Sequence, residues 1–137
     1  MFVLDTNVLI ALQKLNPLVR ARYKEANAAG EVIGIPALVR YEARRELVRP
    51  LYARRLALLD VLLAPHPTLD LDAETTDIAA ILFENLRANG NLIEDADLLI
   101  AATALRHRAT LITHNVRHFE RIPGLNLTNW QQENPIP

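Results

Sequence analysis

Short apolar runs alternate with amphipathic helical stretches along the whole chain, and this alternation restricts the fold more than any other feature. Phe2-Val3-Leu4 is apolar without a break, as a strand buried on both faces must be. Val8-Leu9-Ile10-Ala11-Leu12 then reads as a helix, with Thr6 or Asn7 placed to cap it. Pro17 is positioned to start a second helix and Gly30 to stop it. Residues 31–35 read as a strand closed by Pro36, and residues 37–49 as a helix broken near Pro50. Residues 51–64 form another helix, with Leu56, Leu59, Leu62 and Leu63 on one face. Residues 68–72 suit a short edge strand. A long helix follows over 73–88, with Ile78, Ile81, Leu82 and Leu86 as its apolar stripe. Residues 94–107 make a mostly apolar helix, residues 109–113 a strand of high β propensity, residues 119–123 a turn and residues 125–128 a last strand. Strands alternating with helices predict an α/β fold, a parallel sheet covered on both faces.

A length of 137 residues fits one domain, taken here as 1–137, and half of those residues are apolar. There is no cysteine, so disulfides, zinc–thiolate sites and thiol nucleophiles are excluded. A net charge of −1 gives no overall lean toward nucleic acid or membrane, although local patches count for more than the sum. The first residues lack a basic stretch, and Asp5 interrupts their apolar run, unlike a signal peptide. No uncharged apolar stretch approaches the roughly 20 residues of a membrane span. The expectation is a soluble, cytoplasmic protein without a membrane partner.

Four carboxylates stand where structure alone gives them little to do. Asp5 ends the first strand, Glu42 lies within the helix after the second, and Asp95 and Asp97 open the apolar helix. Hard divalent cations such as Mg²⁺ take oxygen ligands, often one or two carboxylates completed by water and substrate phosphate. In an open parallel sheet, ligands sit beyond the carboxyl ends of the strands. Asp5 and the segment Thr113-His114-Asn115 both lie at such ends, Glu42 can face the same edge, and a helix N-terminus keeps Asp95 and Asp97 ionised. Each also has a plain explanation. Asp5 can cap a helix, Glu42 can pair with Arg45 on a solvated face, Asp95 and Asp97 can serve the helix dipole, and Asn115 can be an ordinary turn residue. The convergence of the set is what those explanations leave unaccounted for.

The ordered series of motifs resembles the PIN-domain ribonucleases, and within them the VapC-type toxins of bacterial toxin–antitoxin pairs. Val3-Leu4-Asp5-Thr6-Asn7-Val8-Leu9-Ile10 is similar to the family's opening motif, and Asp97-Leu98-Leu99-Ile100-Ala101-Ala102-Thr103-Ala104 to its acidic helix. Leu111-Ile112-Thr113-His114-Asn115 with Phe119, then Gly124-Leu125 and Asn129-Trp130, is similar to its C-terminal part. The resemblance implies a three-layer α/β/α sandwich around a mainly parallel sheet of four to five strands. It implies that Asp5, Glu42 and Asp97 are the core acidic residues and that Thr113 is the hydroxyl residue near the metal. Many members carry a fourth acid after that threonine. Here the position is Asn115, with His118 as the nearby alternative, and neither brings negative charge. Asp95 or Glu94 is a candidate replacement, although residues two apart on a helix do not share a face.

The activity so implied is metal-dependent hydrolysis of RNA phosphodiester bonds with Mg²⁺, or alternatively Mn²⁺. Asp5 and Asp97 are the expected metal ligands. Glu42 and Asn115 complete the catalytic set, and Thr113, Thr6 and Asp95 are auxiliary. A homodimer and a cognate antitoxin are the implied partners. Arginines at 40, 44, 45, 49, 54 and 55 can contact RNA or lie on a solvated, ion-paired face. A phosphatase of the haloacid-dehalogenase type also begins with an aspartate after its first strand, but it uses a later lysine, and no lysine follows Lys24. A weakened PIN-like domain that only binds RNA is the non-enzymatic alternative, and the neutral Asn115 and His118 favour it.

Overall fold

The computed structural model describes residues 1–132. The final five residues, which complete the expected 1–137 domain, lie outside the described part. Five strands form a single sheet: β1 (Phe2–Leu4), β2 (Ile33–Pro36), β3 (Thr68–Leu69), β4 (Thr110–Ile112) and β5 (Asn126–Thr128). Their spatial order is β3-β2-β1-β4-β5, and every pairing is parallel. The helices between them are α1 (Thr6–Gln13), α2 (Pro17–Ala28), α3 (Ala37–Arg45), α4 (Ala53–Leu63), α5 (Ala73–Ala88), α6 (Asp95–Arg106) and the short α7 (Val116–Phe119). A single 3-10 turn, Pro50–Tyr52, precedes α4.

Consecutive residues of the three inner strands are buried: Val3 and Leu4, all four of β2, Leu111 and Ile112. Side chains alternate between the faces of a strand, so this continuity means that both faces are covered, giving the α/β/α sandwich. Leu9, Leu59, Leu86, Ile100 and Phe119 are the largest apolar groups brought down by the helices. Trp130 is buried and meets the Phe2 ring edge-on at 6.0 Å, so it packs the C-terminal segment onto β1. No helix among the described residues is long and apolar enough to cross a membrane.

Local sequence signals place most element ends. Asn16 caps α2 through Val19 N, with Pro17 in the first turn. Asp72 caps α5 through Thr75 N. Four expectations need correction. The N-cap of α1 is Asp5, not Thr6 or Asn7, because its side chain accepts from Thr6 N. Helix α3 stops at Arg45, well before residue 49, and the chain turns through Glu46 and Leu47 before the proline. Ile81 is exposed, and the buried stripe of α5 is Thr75, Ala79, Leu82 and Leu86. Residues 116–119 form a helical turn where only a loop was expected from 119 onward. His66 is half-buried and bonded to the Tyr23 hydroxyl.

Gly34 shows how closely the β3 edge is fitted. A Cβ there would stand 2.7 Å from Leu69 Cδ1 and 3.0 Å from Met1 Cε. Leu69 is itself buried and has little room to yield. Gly34→Ala is therefore expected to cost about 1–3 kcal/mol in urea unfolding, and an unchanged midpoint would show that this edge is loosely packed.

Candidate active site

Order along the sheet fixes where a site can form. From β1 the chain moves outward to β2 and β3, then crosses back to lay β4 against the other side of β1. The crevice between the carboxyl ends of β1 and β4 is thus the point where the winding reverses. Leu4 pairs with Ile112, so the next residues, Asp5 and Thr113, emerge side by side. The Asp5 amide still donates to Ile112 O at 2.9 Å, which locks this register one residue beyond the strand.

Asp5 is 5% exposed, and both of its oxygens are engaged. Oδ1 accepts from Thr6 N at 2.7 Å, and Oδ2 accepts from the Thr113 hydroxyl at 2.8 Å. That hydroxyl oxygen in turn accepts from Asn115 N at 3.0 Å. Glu42 lies in α3, the helix launched from β2, and its Oε1 accepts from the Thr6 hydroxyl at 2.8 Å. Thr6 therefore ties the first carboxylate to the second, through its backbone on one side and its side chain on the other. Asp97 lies in the first turn of α6, with Oδ2 3.5 Å from His118 Nε2. The opposite ring nitrogen, His118 Nδ1, is 3.0 Å from the Asn115 amide nitrogen.

The three carboxylates feel one another. Burial pushes the Asp5 carboxyl above its ordinary value; the Thr113 and Thr6 hydrogen bonds oppose this, and the charges of Asp97 and Glu42 add to it. Asp97 is raised in the same way, first by burial, then by Glu94 and Glu42, against the lowering effect of His118. Asp95 is exposed, and among the described residues no hydrogen bond or ion pair joins it to the cluster. The acid that reaches Asp97 electrostatically is Glu94, at the N-cap of α6.

Arg44 is paired with Asp60, and Arg45 with Glu46 while stacking over Tyr41 at 5.4 Å, so these two cations are engaged within the chain. His114 flanks the crevice; its amide donates to Asn7 Oδ1 at 3.3 Å, and burial lowers its ring. The contact between His118 and Asp97 was not foreseen from the sequence. It depends on the turn of α7, and Asn115 followed by Val-Arg-His-Phe was the only local hint of that turn.

Chemically, the site is a set of oxygen donors that repel one another, with His118 beside Asp97 as the cationic neighbour the described residues bring to it. That set fits a hard divalent ion. Among the described residues no three His, Cys, Asp or Glu side chains are drawn tightly enough to hold a metal alone. An ion here would take one or two carboxylates directly and leave its remaining positions to water or phosphate, as Mg²⁺ commonly does.

The raised Asp97 carboxyl has a consequence for stability. The folded state prefers its protonated form, so its contribution is fully present at acid pH and is lost as pH rises through its folded value. Without divalent cation, Asp97→Asn should raise the melting temperature by a few degrees at pH 7. The gain should shrink as pH falls through the carboxylate range. A thermal melt at pH 7 and pH 4.5 checks both, and equal gains at the two values would contradict the repulsion described.

Residues 2–125 match the sequence profile of the PIN domain. The chain is 30% identical to ribonuclease VapC2 of Rickettsia felis over 96% of its own length and 98% of the relative's. It is 29% identical to the tRNA(fMet)-specific endonuclease VapC of Salmonella typhimurium, covering 94% of this chain and 97% of that protein. Its fold superposes on the crystal structure of VapBC2 from Rickettsia felis bound to a promoter DNA fragment with a TM-score of 0.86 at 29% identity, over 94% of this chain and 98% of the other. DNA-bound VapBC from Salmonella typhimurium gives a TM-score of 0.85 at 26% identity, over 94% and 97%. Profile, relatives and fold agree with the motif series read from the sequence: the chain belongs to the PIN-domain family, in its VapC-type branch.

Proposed function

We propose that the protein is an endoribonuclease dependent on a divalent cation, Mg²⁺ or Mn²⁺, and the toxin of a toxin–antitoxin pair. The observation that carries this reading is the meeting of Asp5, Glu42 and Asp97 at the crevice where the sheet reverses its winding. Relatives of nearly full-length coverage named ribonuclease and tRNA(fMet)-specific endonuclease support the reaction class. Structures of VapBC, at up to 29% identity to this chain, support an assembly with a cognate antitoxin. The haloacid-dehalogenase alternative gains nothing, because no lysine follows Lys24 and the fold superposes on VapBC structures.

Asp5 and Asp97 are the residues to hold the ion, with Glu42 engaging it directly or through a water. When bound, a divalent cation supplies charge stabilisation at the phosphate and lowers the pKa of a water. The chain's own groups do the remaining work. Thr113 and Thr6 fix both oxygens of Asp5, so the first carboxylate is preset before substrate arrives. Thr6 also holds one oxygen of Glu42 and leaves the other to orient the attacking water. The exposed amide of Asn115 can receive a phosphate oxygen, whereas the buried Thr113 hydroxyl, its hydrogen already given to Asp5, serves to position that carboxylate. No protein nucleophile is required.

A homodimer belongs to the same proposal. Leu51, Leu58 and Val61 are exposed on and before α4. Beside them a groove of about 620 Å³, mostly apolar, runs between α1, α3 and α4 and reaches Glu42. This is surface that a protein partner can cover, which supports both partner readings.

Asp5→Asn should lower cleavage of an RNA substrate at least about a hundredfold, equivalent to about 2.7 kcal/mol at 25 °C, with its circular dichroism unchanged. Chelation of divalent ions should abolish wild-type cleavage. Undiminished cleavage by the variant, or cleavage that survives chelator, would overturn the proposal.

A further inference from the structure

One side chain at the crevice does not belong to the carboxylate set. His118 is half-buried, and each ring nitrogen has a single neighbour: Nε2 faces Asp97 Oδ2 at 3.5 Å, and Nδ1 faces the Asn115 side chain at 3.0 Å. Asn115 and His118 come from the short segment that begins directly after Thr113, so the register that places Thr113 on Asp5 also places this imidazole against Asp97. Proteins hold histidine ligands in this manner, with one nitrogen toward the ion and the other donating its N–H to a neighbouring polar group.

Asn115 is suited to the second task because its amide has two faces. With its NH₂ toward the ring, it donates to Nδ1, and Nε2 carries the hydrogen that points at Asp97. Turned over, its carbonyl oxygen accepts from Nδ1–H, and the Nε2 lone pair is free. Neighbouring ligands on an octahedral ion at about 2.1 Å stand about 3 Å apart. The Nε2–Oδ2 separation of 3.5 Å is already close to that edge.

The geometry points to His118 as a nitrogen ligand that shares a divalent ion with Asp97, is oriented by Asn115, and makes the site favour Mn²⁺ over Mg²⁺. The inference rests on the reading that the carboxylates hold such an ion. Its chemical reason is donor type. Carboxylate and water suit Mg²⁺ and Mn²⁺ alike, whereas imidazole suits transition ions, whose affinity for nitrogen exceeds that of Mg²⁺. The same ring can instead be only a charge partner of Asp97, and the two roles separate cleanly in the spectroscopy of bound Mn²⁺.

The test loads the full chain with Mn²⁺ and records pulsed electron paramagnetic resonance, with Mn²⁺ and Mg²⁺ affinities measured by calorimetry. Wild-type protein should show ¹⁴N coupling from a directly bound imidazole. His118→Gln should lose that coupling and bind Mn²⁺ about tenfold more weakly, with Mg²⁺ affinity changed much less. Asn115→Ala should keep the coupling but weaken Mn²⁺ binding. Bound Mn²⁺ without nitrogen coupling in the wild type would overturn the inference and leave the carboxylate site standing. Coupling that persists in His118→Gln would also overturn it, because the nitrogen would then come from another residue such as His114. Failure of the wild type to bind either ion would remove the inference together with the reading beneath it.

Discussion

The pairing of β1 with β4 is the constraint from which the site follows. Three residue pairs, ending at Leu4 and Ile112, set the register, and the Asp5 amide extends it by one bond. A slip by one residue would turn Asp5 and Thr113 to opposite faces and put buried leucine and isoleucine into the crevice. The apolar residues of both strands resist such a slip because both sheet faces are covered. Register in this chain is therefore held by hydrophobic burial and expressed as a hydrogen bond between a hydroxyl and a carboxylate.

What is built on that register is unfavourable by itself. A carboxylate that is almost fully buried loses its hydration, and two more acids nearby add repulsion. The chain offsets part of this with short local hydrogen bonds from Thr6 and Thr113, and with His118 beside Asp97. Those groups also restrict how the carboxylates can move. The cluster is in this sense preorganised: the folding energy of the surrounding sandwich holds charges together that would separate in solution. A structural role alone gives no reason to keep three acids in such a place, whereas recognition of a cation does.

Much of this was legible in the sequence, and the exceptions have physical causes. Strand and helix order followed from alternating patterns, and Pro17 and Gly30 marked the ends of α2 by local chemistry. The long helix α5 was read to its bounds because sixteen periodic residues average out single misfits, of which Ile81 is one. The end of α3 was misread because the region before Pro50 is rich in helix formers, and the turn at Glu46 and Leu47 is set by tertiary packing. In the site, the convergence of Asp5, Glu42 and Asp97 could be argued from strand ends and helix starts. The roles of Thr6 as a bridge and of His118 as the neighbour of Asp97 could not, because each depends on rotamers and on a four-residue turn that has no periodicity. Asp95 and Glu94 show the same limit, since which of the two helix-start acids reaches Asp97 is decided by a rotation about the helix axis.

The central claim is that Asp5 and Asp97, with Glu42 close by, hold one divalent ion. Anomalous diffraction from crystals grown with Mn²⁺ tests it most directly. An anomalous peak is expected at about 2.1–2.3 Å from carboxylate oxygens of both aspartates. Well-occupied Mn²⁺ elsewhere on the molecule, with no peak in the crevice between β1 and β4, would contradict it.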